Sequence, residues 1–157
     1  MTTTQPGASG PPPPRAMAGA DGGPAGGAAG RAGTVTKTSP RPVADTVARL
    51  LDLLGSKGIK VFAVIDQQAE ARAAGLELRE TNLVIFGNPA AGTGVMVASP
   101  LSALDLPLKV LVWAEPGQDT FVSYTAPDTL AARYGLSPEA AAPLAAVNGL
   151  TDALIAG

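Results

Sequence analysis

The chain has 157 residues, of which 46% are hydrophobic, only 4% are aromatic and 15% are charged, and its formal net charge is −2. It contains no Cys and no His. This composition excludes disulfide bonds, zinc sites built from Cys or His, a cysteine nucleophile and a Ser-His-Asp triad. Proton transfer near neutral pH would need a carboxylate, Lys or Tyr with a shifted pKa.

The first 33 residues contain nine Gly and six Pro but no Leu, Ile, Val or aromatic residue. We expect this segment to be disordered, because it cannot bury enough apolar area to offset its backbone entropy. The alternative is that Pro11 to Pro14 form a proline-rich ligand for a groove. Met17 leaves a second start site open. Without an apolar run typical of a signal peptide or a membrane span, we expect a soluble, cytoplasmic protein.

Residues 34–157 are long enough for one domain with a single core. They carry nine Lys or Arg against twelve Asp or Glu, a net charge of −3, with no basic run. Nucleic-acid binding is therefore not expected, because it requires clustered cations. We also expect no metal and no cofactor.

The first predicted elements alternate between strand and helix. Short β-forming residues predict a strand over residues 34–38, and an apolar stripe from Val43 to Leu54 predicts an amphipathic helix. A strand is predicted over residues 59–65, with its odd-numbered residues on one face. Asp66 then precedes an Ala-rich helix over residues 67–74, where it is suited to be the N-cap.

The second half predicts paired strands followed by helices. Strands are predicted over residues 83–86, 108–113 and 120–124, the last two joined by a turn at residues 115–118. Helices begin at Pro127 and at Pro138, Pro143 interrupts the second, and an apolar stripe continues to the C-terminus. Hairpin strands and grouped helices indicate an α+β fold, an antiparallel sheet with helices on one face.

The most distinctive motif runs from Phe86 to Thr93. Its Gly87, Gly92 and Thr93 have the spacing of a phosphate-binding loop after a strand, but the expected Lys is missing and Pro89 removes an amide donor. One interpretation is a sharp turn with Thr93 capping a short helix. The other is an anion held by backbone amides at that helix start.

Two further polar residues stand at predicted strand ends, Asp66 and Tyr124. Asp66 either caps the following helix or projects into a pocket as a carboxylate with a shifted pKa. Tyr124 either donates from its hydroxyl at a cleft rim or packs its ring with the hydroxyl in water. Trp113, by its spacing in a strand, is expected to serve packing or a dimer contact.

These motifs together resemble the domain of unknown function 302 family. The resemblance covers roughly residues 34–157 and rests on Val61 to Asp66, residues 73–79, the Phe86-Gly87-Asn88-Pro89 run with Gly92-Thr93 and Met96, residues 105–109, and Tyr124. It implies a small α+β domain of the TATA-binding-protein-like class, β-α-β(4)-α, in a bacterial protein that forms a homodimer, without an established biochemical activity.

The chain departs from the family pattern at two places. Members of the family often have His directly after the aspartate that ends the second strand, where this chain has Gln67. Glutamine can orient a ligand by hydrogen bonds but cannot titrate, so an acid–base or metal role at this position is in doubt. Gly94-Val95 also replaces the more usual proline-leucine.

Three functions follow as hypotheses. The first is a non-enzymatic module that binds a small ligand or a partner in a cleft between sheet and helices, with candidate residues Asp66, Gln67, Phe86, Gly87, Asn88, Gly92, Thr93 and Tyr124. The second is an enzyme with Asp66 as base and Tyr124 as hydrogen-bond donor, which requires the two side chains to converge on one site. The third is a structural homodimer that buries sheet edges or apolar helix faces.

Overall fold

A computed structural model describes residues 31–157. The predictions made for residues 1–30, including their disorder and the proline-rich motif, lie outside the described residues. Among residues 31–157, no helix combines the length and the apolar character that crossing a membrane requires.

The strands form one antiparallel sheet, which confirms the predicted α+β class. Their bounds are β1 Thr34–Ser39, β2 Lys60–Asp66, β3 Thr81–Gly87, β4 Leu108–Ala114 and β5 Thr120–Thr125. Their order across the sheet is β1-β5-β4-β3-β2, with every neighbouring pair antiparallel. β1 and β2 are therefore the two edge strands, and β2 to β5 follow one another as a meander.

The helices connect and follow these strands. They are α1 Val43–Ser56, α2 Gln67–Ala73, α3 Pro89–Ala98, α4 Pro127–Arg133, α5 Pro138–Ala141 and α6 Ala146–Ile155, with 3₁₀ turns at Pro100–Leu104 and Ala142–Ala145. As predicted, Pro143 interrupts the last helical segment, because its ring cannot continue the α-helical hydrogen-bond pattern.

The main core lies between one face of the sheet and two helices. Alternating residues of β3, β4 and β5 point inward, among them Val84, Val110 and Val122, which are completely buried. They pack against the apolar stripes of α1 and α6, including Leu50 and Leu154. A smaller cluster of Val95, Leu130 and Leu144 joins α3 to the C-terminal helices.

A β-bulge in β2 changes which of its side chains share a face. Val61 pairs with Phe86, but Ala63 pairs with Ile85, so the register shifts at Phe62. Because opposed residues of an antiparallel pair lie on the same face, Val61 and Ala63 point to opposite faces. The prediction that the odd-numbered residues from 59 to 65 share one face is therefore wrong.

The other face of the sheet carries many apolar side chains, together with Lys109, Ser123 and Thr36. It presents a set of partly exposed or aromatic side chains that pack against neither buried cluster: Ala63, Ile65, Leu83, Ile85, Leu111, Trp113 and Phe121. The rings of Trp113 and Phe121 contact each other, with centroids 5.0 Å apart. We call this set the outer sheet face.

Candidate functional site

An apolar pocket lies at the end of the sheet where β3 passes into α3. Its volume is about 470 Å³. Five of the eight residues predicted from the sequence line it: Phe86, Gly87, Asn88, Gly92 and Thr93. The structure therefore brings the Phe86–Thr93 motif together as one wall of a cavity.

The remaining walls come from elements far apart in the sequence. Besides Pro89 and Ala91 within the motif, the sequence did not predict these lining residues: Ile59, Phe62, Val95, Met96, Leu106, Pro107, Leu108, Pro143, Leu144 and Ala146. Met96 and the leucine-proline step belong to the motifs that carry the family resemblance. Those motifs were the sequence signal that could have identified these residues as part of the site. The position of Phe62 depends on the bulge, which no sequence pattern revealed.

The motif begins α3 earlier than predicted. Asn88 is the N-cap, since its side-chain Oδ1 accepts a hydrogen bond from the Ala90 amide at 3.0 Å, and Pro89 occupies the first helical position. Thr93 lies inside the helix, where its hydroxyl donates to the Pro89 carbonyl at 2.6 Å. The prediction that Thr93 caps the helix is therefore wrong, because a better cap precedes it at the end of the strand.

These contacts also bear on the anion interpretation. Pro89 has no amide proton, and the amides of Ala90 and Gly92 already donate to Asn88. Few backbone donors of the first turn remain directed outward. Anion binding by α3 stays a prediction, but the hydrogen bonds at its start do not favour it.

Close packing at Gly87 shapes the mouth of the pocket. A Cβ at this position would lie 3.4 Å from Cβ of Pro107 and 3.9 Å from Cε2 of Phe62. Pro107, which follows a cis peptide bond after Leu106, and the Phe62 ring thus approach the strand from two directions. A residue with a longer side chain at Gly87 would occupy the space between them.

The residues of the pocket wall that the structure describes offer binding surface but no titratable side chain. None of the described residues that line it carries a charge, and Asn88 and Thr93 are its polar side chains. Both already make the local hydrogen bonds of α3. Such a lining favours apolar ligands, because a buried charge without a partner costs several kcal/mol or more.

Asp66 and Gln67 lie away from this pocket. Asp66 ends β2, whereas the pocket adjoins the first residues of that strand, and seven strand residues span about 20 Å. The Asp66 carboxylate accepts from the Ala69 amide at 2.9 Å, which confirms its predicted role as the cap of α2. Neither residue is part of the pocket wall.

Tyr124 also belongs to a different environment. It is almost completely buried, and its hydroxyl donates to Oδ1 of Asn148 on α6 at 2.7 Å. Lys37 lies over its ring, 5.3 Å from the centroid, and donates to Thr151 and Asp152, both at 2.7 Å. Burial by itself would lower the pKa of Lys37, but contacts with Asp152 and Tyr124 outweigh it and raise that pKa. This network holds α6 against β1 and β5.

Asp66 and Tyr124 are not brought together. β2 and β5 are separated by β3 and β4, so three inter-strand spacings of about 4.8 Å lie between them. Each side chain is also hydrogen-bonded within its own surroundings. The convergence that the enzyme hypothesis requires is absent for these two residues.

A second polar cluster braces the loop that leads to the pocket. Asp105 precedes the Leu106-Pro107 step and accepts hydrogen bonds from the hydroxyl of Tyr134 and, at 2.8 Å, from Arg133. The Tyr134 hydrogen bond, assisted by Arg133, lowers the pKa of the Asp105 carboxyl. The same hydrogen bond to Asp105, together with burial, raises the pKa of Tyr134. These contacts attach the pocket loop to the end of α4.

A larger cleft of about 720 Å³ lies near the opposite end of the sheet. Its walls are loops and charged side chains, including Arg79, which pairs with Glu115 at 3.0 Å. Arg79 and Glu115 are both about half exposed, so this pair adds little stability or specificity. None of the eight predicted residues lines this cleft, and the apolar pocket is therefore the stronger candidate site.

Comparison with known proteins places the chain in a family. The model described as "Domain of unknown function DUF302" matches residues 35–154. A crystal structure of a DUF302 protein from Bacillus stearothermophilus has a TM-score of 0.67 at 20% identity, covering 80% of this chain and 97% of that one. That likeness shows a shared fold.

Curated relatives are considerably longer than this chain. The proteins named fluoride-specific ion channel FluC 1 from Brucella suis and from Brucella abortus are each 38% identical to it over 104 residues. The matched segment is 66% of this chain but 41% and 38% of theirs, so the chain spans about two fifths of the length of these relatives. The name fluoride-specific ion channel belongs to those longer proteins. By its family match, the chain belongs to the DUF302 family.

Proposed function

We propose that this DUF302 domain is a binding module that holds a small, mostly apolar molecule in the pocket beside α3, without transforming it. The observation that carries the proposal is a cavity of about 470 Å³ whose described lining residues include no charged side chain. Ligand pockets have volumes in the range of about 300–1,000 Å³ and apolar walls with a few polar groups.

The energetics support recognition of an apolar body. Removing apolar surface from water contributes roughly 25 cal/mol per Å², and the walls include Phe86, Val95 and Leu144, which are largely buried already. A ligand would extend this packing without displacing a charged group. Gly92 leaves space in the wall, since a Cβ there would meet no atom within 4 Å.

A pair of glycine variants tests the proposal with 1-octanol as a neutral apolar probe. Gly92→Leu fills the pocket, whereas Gly94→Leu adds the same side chain to the same helix outside it. Octanol should raise the melting temperature of the wild type and of Gly94→Leu, because binding to the native state stabilises it. It should not raise that of Gly92→Leu. No shift for the wild type, or an equal shift for both variants, would refute the proposal.

Self-association through the outer sheet face is a second candidate. Its side chains, among them Ile85, Leu111 and Trp113, are apolar and pack against neither core cluster. Five strands span about 24 Å across and about 20 Å along the sheet. Two copies facing each other would therefore bury about 1,000 Å², the lower bound for a specific interface. The homodimer hypothesis from the sequence named sheet edges or apolar helix faces, but the outer sheet face contains Trp113, for which the sequence predicted packing or a dimer contact. The area of this face favours it as the interface.

Analytical ultracentrifugation tests self-association. The wild type should sediment as a dimer at micromolar concentration, and Leu111→Lys should shift it to a monomer. Leu101→Lys is the matched control, because Leu101 is exposed on the 3₁₀ turn after α3. The fluorescence of Trp113 in the wild type should also change on dilution. A wild type that is monomeric throughout would exclude this candidate.

A further inference from the structure

We propose that the ligand of the apolar pocket carries an acidic group, and that Lys60 holds this group at the mouth. The inference rests on the proposed function and specifies its ligand class: an amphiphile with an apolar body and one anionic head, such as a carboxylate or a phosphate ester.

Lys60 lies beside the pocket through its contact with Phe62, the residue at the β2 bulge. Phe62, at the bulge, lines the cavity while remaining 45% exposed, so its ring forms part of the rim. The Lys60 ammonium lies over this ring, with Nζ 4.8 Å from the centroid. Lys60 also pairs across the sheet with Gly87, another pocket residue. Bulges commonly redirect a side chain beside a binding site, and here the redirected ring adjoins a cation.

The charge distribution determines where a charged head can lie. The walls contain no charged residue among those described, so a carboxylate inside the pocket would lack a partner. At the rim, by contrast, an anion would meet the Lys60 ammonium and remain in contact with water. Within residues 31–157, Lys60 takes part in none of the ion pairs. A cationic head would be repelled at the same place.

Three ligands with the same chain length distinguish the contribution of the head group to affinity from that of the apolar body. Octanoate, 1-octanol and octylammonium are titrated into isotopically labelled protein, and affinities are taken from the amide shifts of Gly87 and Gly92. Octanoate should bind about two- to five-fold more tightly than octanol, the range expected for an exposed ion pair, and octylammonium more weakly than either. The advantage of octanoate should diminish at high salt.

Two charge-removing variants identify the cation. Lys60→Gln should abolish the preference for octanoate while leaving octanol binding unchanged. Arg72→Gln removes one positive charge from α2, at the opposite end of β2, and should preserve the preference. Equal binding of octanoate and octanol to the wild type, or a preference that survives in Lys60→Gln, would overturn this inference alone. If neither compound shifts the pocket amides, the proposed function itself fails.

Discussion

The Phe62 ring lies 3.9 Å from the point at which a side chain on Gly87 would begin. The two residues lie on adjacent strands of the sheet, one in a bulge of the edge strand β2 and the other at the end of β3. Because Gly87 has no side chain, the ring can approach the strand and close part of the pocket mouth. The bulge that positions the Phe62 ring and the missing side chain at Gly87 thus together form this part of the pocket mouth.

Removal of the Phe62 ring should weaken ligand binding more than it weakens the fold. Phe62→Ala is expected to reduce octanol affinity several-fold, because the ring covers apolar ligand surface. Its cost in the free energy of unfolding should stay below about 1 kcal/mol, since the side chain is half exposed. Val64→Ala is the control, because Val64 is similarly exposed on the same strand but does not line the pocket. An affinity loss in both variants would contradict the assignment.

Alanine at either glycine of α3 should stabilise the protein. Gly92→Ala and Gly94→Ala are each expected to raise the free energy of unfolding by about 0.5–1 kcal/mol, because alanine has the higher helix propensity and both positions are open. Urea denaturation measures the change. Gly58→Ala should instead destabilise the protein, because Gly58 has φ of +65°. If both helix variants were less stable than the wild type, the open space beside Gly92 and Gly94 would be required by the fold.

The Tyr134 hydroxyl should contribute to stability in a pH-dependent way. Tyr134→Phe is expected to lower the free energy of unfolding at pH 6, because the Asp105 carboxylate loses one of its two hydrogen-bond donors and keeps only Arg133. The pKa of Asp105 is lowered in the folded protein, so this contribution is present above the unfolded pKa near 3.9 and is lost as pH falls through the folded pKa.

Urea denaturation of the wild type and Tyr134→Phe at several pH values measures this effect. The difference between them should be constant from pH 5 to 8 and decrease as the pH falls below the unfolded pKa near 3.9. The raised pKa of Tyr134 acts only at alkaline pH, where ionisation of the hydroxyl would remove the donor. A difference that persists unchanged in acid would mean that the hydrogen bond does not involve the charged carboxylate.

Tyr124 should matter for stability and not for the ligand. Tyr124→Phe is expected to lower the free energy of unfolding by about 1 kcal/mol, since the Asn148 side chain loses the hydroxyl that donates to it. Octanol affinity should remain that of the wild type, because Tyr124 does not line the apolar pocket. Denaturation and amide-shift titration measure the two quantities separately. Reduced affinity at unchanged stability would restore Tyr124 to the site predicted from the sequence.

Much of the fold was predictable because it depends on local patterns. The apolar stripe of α1 repeats at helical spacing, and the β-branched runs of β3 and β4 are bounded by Gly, Asn and Pro. The bulge at Phe62 was not predictable, since the local pattern of alternation continues through it. Its position is set by pairing with β3, a contact between separate segments.

The candidate site was predictable only in part. The Phe86–Thr93 motif is contiguous, so its residues remain neighbours in any fold, and the structure shows them in one wall. Asp66 and Tyr124 were grouped with it because all stand at strand ends. Because β2 and β3 run antiparallel, their last residues lie at opposite ends of the sheet. Asp66, at the end of β2, is therefore far from the motif that follows β3.

By itself, the order of residues determined most of the helices and strands, the Asp66 cap of α2 and the absence of imidazole and thiol chemistry. These properties depend on backbone preferences and on composition, which act within a few residues. Only the tertiary structure decided that Phe62, Leu106 and Leu144 meet around one cavity and that the Lys60 ammonium lies over the Phe62 ring. Such contacts arise when distant segments bury apolar surface together, and their geometry depends on sheet register and packing across the whole domain.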